Sequence, residues 1–249
     1  MGIESAKMII QDAVRRRSET DKRMSGAWVA AYVISYLLII VGTFLGVFQA
    51  FTALTMEEAI ASLGLGIALV LIGLVLVATL TYNLIKRRNE HFKRSRVLRE
   101  GLIQYLEARA KERDKSSEVS SELGTMRMIH SELNSEESEK SAGLYTLLSL
   151  LTGIVFLYVM YFLTNDFMRH DKRERAFYQA FVSASRKLDM NIQFPYWREV
   201  PDRSAGLYII LTLILGGIFS LYWLWTLIKD PQEHFNSHAL FEDSLLPSL

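Results

Sequence analysis

The stretches SAGLYTLLSLLTGIVFLYVMYFLTNDFMRH, residues 141–170, and SAGLYIILTLILGGIFSLYWLWTLIKDPQEH, residues 204–234, determine the architecture because they begin alike and both end on histidine. Each opens with SAGLY, continues as an apolar run with a central glycine, and leaves that run through polar residues. Earlier in the chain, LIKRRNEHF at 84–92 matches LIKDPQEHF at 227–235. Similarity of this kind indicates an internal repeat with three copies.

The three copies share a register that continues past the apolar run. Apolar residues recur seven and eleven positions after each histidine, a spacing that places them on one face of a helix. We therefore predict a unit made of an apolar run, a polar hinge and an amphipathic helix that folds back onto the membrane surface. The histidines are His91, His170 and His234, and the apolar positions are Leu98, Leu102, Phe177, Phe181, Phe241 and Leu245.

Four apolar runs are long enough to cross a membrane, which takes about 20 residues. They are 28–54, 63–85, 143–163 and 205–228, and the apolar body of each is free of charged residues and histidine. Aromatic residues gather near their ends, as is typical of the membrane interface. The predicted fold class is an all-α membrane protein with four transmembrane helices, together with amphipathic helices on the membrane surface and extending from the spans.

Four segments follow from this interpretation. We predict an N-terminal amphipathic basic helix at 1–25, a transmembrane hairpin at 26–86, a soluble helix with a flexible linker at 87–142, and two repeated units at 143–249. The first helix and a short piece inside the third segment each present an apolar face. The residues of these two faces are Ile3, Ala6, Ile10, Ala13 and Val14, and Leu123, Met126, Ile129 and Leu133.

The side of the membrane on which each loop lies is harder to predict. The N-terminus and the segment after residue 85 are basic and 51–60 is acidic, so the first two should be cytoplasmic. Four ordinary spans then place 164–204 outside, although it carries eight Lys or Arg. A third or fourth run that re-enters, turning at Gly153 or at Gly216–Gly217, would return this loop to the cytoplasm. We favour four spans and leave the second arrangement open.

Small and basic residues beside the runs suggest two further roles. Glycines within apolar helices permit close helix packing, and GTFLG at 42–46 is suited to contact with another span. The predicted packing residues are Gly42, Gly46, Gly73, Gly153, Gly216 and Gly217. Basic residues next to a run can contact lipid head groups. The predicted lipid contacts are Arg15, Arg16, Arg17, Arg87, Arg88, Arg169, Lys172 and Arg173.

SLLTGIVFLYVMYFLTND and TLILGGIFSLYWLWTLIKD resemble the signature of an uncharacterised prokaryotic family of multi-pass membrane proteins, a domain of unknown function. That signature is a Leu-rich run, then Thr-x-Gly-Ile-Tyr, then Tyr-Trp and a Lys-Asp exit. It covers the third and fourth runs, with Val155 and Phe219 in place of the signature tyrosine. The resemblance implies membrane residence and no particular activity.

Composition narrows the chemistry. The chain has no cysteine, which excludes disulfides, thiolate metal sites and cysteine nucleophiles. Its 28 basic and 27 acidic residues give no sign of a nucleic-acid partner. No nucleophile–base set or nucleotide fingerprint occurs, so we predict no enzymatic activity.

The repeated histidines are the residues best suited to a metal, since imidazole is a common ligand. Against this, four spans would place His170 on the opposite side from His91 and His234, and no HExxH pair is present. We therefore predict no metal and no cofactor, and keep these three histidines as the candidates.

The predicted function is a structural, scaffold or accessory subunit of a membrane assembly. This prediction depends on the apolar runs, which lack the ionisable groups that transport usually needs. The protein would lie in the cell membrane with its N-terminus cytoplasmic, and its partners would be lipids, other subunits or further copies of itself. A component of a small-solute or ion transporter or channel is the alternative.

Overall fold

The computed structural model describes residues 2–249, apart from the side chain of residue 50, and all of the regular structure in that range is helical. The predicted all-α class is confirmed. The α-helices are α1 (Ile3–Arg15), α2 (Arg17–Thr20), α3 (Ala27–Phe44), α4 (Ala50–Thr52), α5 (Met56–Glu112), α6 (Ser120–Glu136), α7 (Ala142–Leu151), α8 (Gly153–Lys187), α9 (Ala205–Ile214) and α10 (Phe219–Leu245). A π-helical turn (Leu45–Gln49) extends α3, and a 3₁₀ turn (Leu246–Ser248) follows α10.

The first two apolar runs form one long hairpin. The stretches Ala27–Gln49 and Met56–Glu112 are the two helices in residues 2–249 that are long and apolar enough to cross a membrane. Thr55 begins α5 with a capping box, in which its side chain accepts from the backbone N–H of Glu58. The hairpin arms meet at glycines: a Cβ added to Gly42 would lie 2.6 Å from the carbonyl oxygen of Gly66. The helix that GTFLG contacts is therefore the second arm of its own hairpin.

The third and fourth runs are interrupted helices. The third run breaks at Thr152, whose backbone is extended, so that α7 ends and α8 begins on either side of it. The Tyr145 ring lies 5.3 Å from the Phe162 ring, which means that the two helices fold back on each other as a hairpin. Ten residues of α-helix span about 15 Å, half of a bilayer core. The structure therefore does not confirm a full span for this run.

The fourth run repeats this shape with a different turn. Gly216 and Gly217 adopt φ values of +57° and +90° between α9 and α10, a backbone region that glycine enters at low cost. The Tyr208 ring then lies 5.6 Å from that of Trp223 across the hairpin. The repeated SAGLY is explained by the same geometry, because the serine of each copy, at 141 and at 204, caps the first helix of a hairpin.

Below the apolar hairpins, the second halves of α5, α8 and α10 form a helical bundle with α1 and α6. The predicted apolar positions after each histidine are confirmed as core, and Leu98, Phe177 and Phe241 are fully buried. These amphipathic segments continue directly from the apolar helices and pack on each other. The prediction that they fold back onto the membrane surface is therefore wrong. The apolar face of α1 likewise packs on α5, at Gly101.

The connections of the bundle are tighter than predicted. The expected flexible linker between α5 and α6 is a short series of turns that buries Val119 in the core. The predicted apolar face of α6 is confirmed, and it packs on α8. Residues 164–204 thus pack in the same bundle as 87–142. This agrees with the re-entrant arrangement that the sequence left open and not with the favoured four ordinary spans, which would keep the two segments apart. The reversals at Thr152 and Gly216–Gly217 are the reason, since each hairpin returns the chain to the side it left.

Candidate metal centre

The three repeat histidines meet at the centre of the bundle, one from each long helix. The Nε2 atom of His91 lies 3.2 Å from Nε2 of His170 and 3.0 Å from Nε2 of His234. All three side chains are at most 1 % exposed. The objection that topology keeps His170 away from the other two is therefore wrong, because the interrupted helices bring all three hinges to one side.

Two further side chains complete the cluster, each one helical turn after a repeat histidine. Glu174 follows His170 and His238 follows His234 at the i,i+4 spacing that puts both on one helix face. One carboxylate oxygen of Glu174 lies 3.0 Å from Nε2 of His170, 3.6 Å from Nε2 of His234 and in contact with Nε2 of His238. One ligand atom from each of the five residues lies within 4.8 Å of every other.

Each histidine is held from behind by a carboxylate at its Nδ1 atom. An ionised carboxylate can only accept hydrogen bonds, so Nδ1 carries the proton and Nε2 is left with a lone pair in the neutral ring. The carboxylate–histidine pair is the arrangement that orients histidine ligands around metals. The pairs are His91 with Asp21 at 2.9 Å, His170 with Glu137 at 2.5 Å, His234 with Asp171 at 2.7 Å and His238 with Glu242 at 3.1 Å.

Two buried arginines tie these carboxylates together. Arg94 donates to Asp21 at 2.8 Å and to Glu242 at 2.5 Å. A second arginine, at position 99, donates to Glu137 at 2.9 Å and to Glu174 at 2.8 Å. Buried charges are tolerated when paired and hydrogen-bonded, so the arginines offset part of the cost of placing several carboxylates inside the bundle. The result is a connected polar core around the histidines.

Asp171 is fixed from the other side by the connection between α8 and α9. Its carboxylate accepts from the Trp197 indole N–H and from the backbone N–H of Val200, both at 2.9 Å. Both donors lie in an irregular stretch without regular secondary structure. This stretch therefore serves the site by orienting the partner of His234.

The histidines differ in their affinity for protons. Burial lowers the pKa of His91 and of His234, because the charged ring is poorly solvated there. Burial also acts on His238, but the charge of Glu174 and the hydrogen bonds outweigh it and raise the pKa to about 9. The pKa of His170 is raised in the same way by its carboxylate neighbours. Binding of a metal ion would displace such protons.

Apolar side chains close the site on the side of the hairpins. Phe92, Phe167 and Phe235, one from each repeat, form a small cluster next to the histidines. The Phe92 ring stacks on His170 at 4.2 Å and the Phe235 ring lies 4.6 Å from His91. Above the three phenylalanines lies a larger apolar cluster, which includes the Trp223 ring. The polar centre is thus sealed from the apolar half of the molecule.

The donor set is chemically specific. A metal–nitrogen bond of about 2.0 to 2.1 Å gives nitrogen–nitrogen edges of about 2.9 to 3.4 Å in tetrahedral or octahedral coordination. The separations from His91 to His234 and to His170, 3.0 and 3.2 Å, fall in this range. Imidazole nitrogens with one carboxylate suit Zn²⁺, Fe²⁺, Ni²⁺ or Cu²⁺, whereas Mg²⁺ and Ca²⁺ favour oxygen ligands. The arrangement can therefore hold one first-row transition-metal ion.

The predicted packing glycines divide into two groups. In the first group, Gly42, Gly46 and Gly73 lie where α3 and α5 approach most closely. The second group is Gly153 with Gly216–Gly217, and within residues 2–249 a Cβ added there would meet no atom within 4 Å beyond the adjoining residues and the glycine's own helix. This second group lies at the hairpin turns, so its place in the fold is that of turn residues and not the predicted packing contact.

The predicted lipid contacts also divide by exposure. The exposed ones are Arg15, Arg16, Arg169 and Lys172, and two others, Arg17 and Arg173, are partly buried in ion pairs. Arg88 is 1 % exposed and bonded to Asp166, so in this structure it is not available to lipid.

Arg87 is buried as well, and its partners are backbone atoms of α10. It donates to the carbonyl oxygen of Leu227 at 2.6 Å. Proline has no N–H, so Pro231 leaves this carbonyl without its usual helical partner, and Arg87 supplies the missing donor.

Several site residues escaped sequence reasoning. His238 and Glu174 could have been found, because a ligand one helical turn after a repeat histidine needs no HExxH motif. Asp21 and Glu137 gave no signal, since each lies in a segment without repeat register. In the sequence, Arg94 and Arg99 could not be distinguished from basic residues on the solvent-exposed face of a helix.

Comparison of the chain with protein-family models, with curated proteins and with solved structures finds no match. The resemblance of the third and fourth runs to an uncharacterised membrane family stays a prediction.

Proposed function

We propose that this protein is an integral protein of the cell membrane whose helical bundle holds one first-row transition-metal ion. The ligands are His91, His170, His234, His238 and Glu174. One observation carries the proposal: separate repeats of the chain direct their imidazole nitrogens to a single point, and each ring is oriented by its own carboxylate. This replaces the prediction from sequence that no metal is bound.

A cluster of histidines without an ion is the competing explanation. The pKa values of His91 and His234 are both lowered, so these two rings favour the neutral form. Their Nε2 lone pairs would then face each other at 3.0 Å, which is unfavourable unless a cation lies between them. That cation is either a shared proton or a metal ion. Five donors, with a carboxylate behind every imidazole, favour the metal ion, because proton sharing needs only two rings.

Burial of the site supports a structural role for the ion. Catalytic metal sites keep a coordination position open to substrate, whereas this donor set is closed by its own side chains and by the phenylalanine cluster. An ion bound here would join α5, α8 and α10, and so all three repeats. We propose a non-enzymatic membrane component, with a metal that stabilises the bundle and with lipids and other membrane subunits as its partners.

Residence in a membrane is supported by the exposed apolar surface. In the two long apolar helices only 22 % and 17 % of the most apolar window is buried, so most of it faces outward. The tips of both short hairpins are also exposed, for example Leu151 and Ile218. Soluble monomers rarely carry an apolar surface this large. We propose that the N-terminus, the bundle and residues 164–204 are cytoplasmic, since this half carries the basic residues.

Transport of an ion or small solute is the second candidate, favoured by the two interrupted helices. Broken helices at membrane depth are common at transport sites. A cavity of 640 Å³ opens at the hairpin tips, with Tyr32 and Phe156 in its lining. These two rings belong to a packed apolar cluster that also contains Trp223, Met160 and Leu84, all at most 1 % exposed. This packing makes transport the weaker proposal.

The deciding experiment measures metal content. Protein purified in mild detergent without chelator, analysed by inductively coupled plasma mass spectrometry, should contain about one transition-metal ion per chain. His91→Ala and His170→Ala should lose that ion, because each removes a ligand at the centre. His130→Ala is the matched control, since His130 is outside the cluster and contacts Asn134. A folded, metal-free protein that also takes up no Zn²⁺, Fe²⁺, Ni²⁺ or Cu²⁺ on titration would overturn the proposal.

A further inference from the structure

A second charged site lies where α5 leaves the apolar half of the molecule. A cavity of 170 Å³ opens there between α5 and the segment that leads into α3. Among the described residues its lining includes four basic side chains, one amide and one indole, and no carboxylate. They are Lys22, Arg23, Lys86, Arg87, Asn83 and Trp28.

The basic side chains of this cavity are not neutralised within residues 2–249. Nearby cations of the bundle have carboxylate partners, as Arg88 has Asp166. By contrast, Arg23 bonds to the amide oxygen of Asn236 and Lys86 lies over a tyrosine ring, and in the described part of the chain neither forms an ion pair. Four positive charges around one small cavity attract an anion.

A second observation, the burial of Arg87, also points to an anion as the ligand of this cavity. Its side chain is 2 % exposed, and its Nη atoms bond to the backbone carbonyls of Leu227 and Ile228. Its Nε atom is buried and has no hydrogen-bond partner among the described residues. A guanidinium buried without a counter-charge is costly, and Arg87 helps to line the cavity, so an anion bound there would supply the missing counter-charge.

We propose that this cavity binds a phosphate group, as the head group of an anionic lipid or as a soluble phosphate ester. Guanidinium and ammonium donors are suited to phosphate oxygens. Trp28 and the exposed apolar helices above the cavity place it at the membrane boundary, a placement that rests on the proposed membrane residence. The site is separate from the histidine centre, and its failure would leave the metal proposal intact.

Lipid retention tests the site in the full-length protein. Detergent-purified protein is mixed with dioleoyl phosphatidylglycerol or dioleoyl phosphatidylcholine, and bound lipid is counted by native mass spectrometry. The wild type should prefer phosphatidylglycerol. The double variant Lys22→Gln, Lys86→Gln should bind it about 25-fold more weakly, since each basic residue near a membrane contributes about fivefold. These residues are exposed or half-buried, so the fold should survive.

The control removes the same charge elsewhere. Lys111→Gln with Arg186→Gln changes two exposed residues of the bundle and should leave lipid binding unchanged. Millimolar inorganic phosphate that binds and displaces the lipid would identify a soluble phosphate as the source, and no displacement would identify the lipid. Equal retention of both lipids without phosphate binding, or equal losses in the two double variants, would overturn the site.

Discussion

Asp171 shows how much one carboxylate determines in this protein. It accepts from the ring of His234, from the Trp197 indole and from the backbone of Val200, so its position is fixed by three donors. Through His234 it determines which ring nitrogen is free to bind. A residue of this kind would act on the proposed metal ion without touching it.

Asp171→Asn should weaken metal binding by about 10- to 100-fold, the usual effect of losing a carboxylate behind a histidine ligand. The amide keeps the size of the side chain but is a poorer acceptor for the His234 ring. Competition titration against a metal-binding dye measures the affinity. Asp202→Asn is the control, because Asp202 is exposed and pairs with Lys172. Unchanged affinity in Asp171→Asn would contradict the orienting role.

Among the elements, the α3–α5 hairpin depends on a few glycines that let two backbones touch. A Cβ on Gly66 would lie 2.5 Å from the carbonyl oxygen of Gly42 and 2.5 Å from Cα of Gly46. Gly64, two residues earlier in the same helix, has open space around it within the described part of the chain. The two glycines of α5 therefore differ sharply in what a methyl group would meet.

Gly66→Ala should destabilise the hairpin by about 1 to 3 kcal/mol, because the added methyl group overpacks a backbone contact. Gly64→Ala is the matched control and should be neutral or stabilising by up to about 1 kcal/mol, since alanine favours helix over glycine. Chemical denaturation of the detergent-solubilised protein compares the two free energies of unfolding. Equal effects of both substitutions would be inconsistent with the close approach of α3 and α5.

In the molecule as a whole, most of the charged residues lie in the bundle on one side of the apolar hairpins, and the acidic first turn of α5 lies at the other end. The bundle contains α1, α6 and the second halves of α5, α8 and α10, and the two short hairpins return the chain to it. The turn between α4 and α5 lies at the opposite end of the first hairpin. This one-sided shape makes a clear prediction about accessibility.

Cysteines introduced singly should report the sides directly, because the chain has no cysteine of its own. Asn191→Cys lies in the exposed part of 164–204 and should resist an impermeant thiol reagent in intact cells. Thr52→Cys, exposed at the far end of the first hairpin, should react. Both should react once the membrane is permeabilised. Labelling of Asn191→Cys from outside would contradict the proposed topology.

Much of the local structure was predictable from the sequence, because helical periodicity is a local property. The repeat predicted which residues after each histidine are buried, and the α6 face at Leu123, Met126, Ile129 and Leu133 was correct. The two long apolar helices were also evident, since length and composition suffice to recognise them. Each of these features depends on residues within a few turns of one another.

Tertiary packing decided whether the apolar runs reverse. It also decided which side chains meet at the centre of the bundle. The sequence offered Gly153 and Gly216–Gly217 as possible turns, and the structure breaks the runs at Thr152 and at Gly216–Gly217. Run length and composition could not decide whether the chain turns there, because an apolar run has the same composition whether it continues or turns back. Those breaks place His170 beside the other histidines, and the rotation of each helix then directs the imidazoles inward. Asp21 and Glu137 reach the site from segments far away in sequence. A polar side chain finds its partner through the packing of whole helices, which no local pattern encodes.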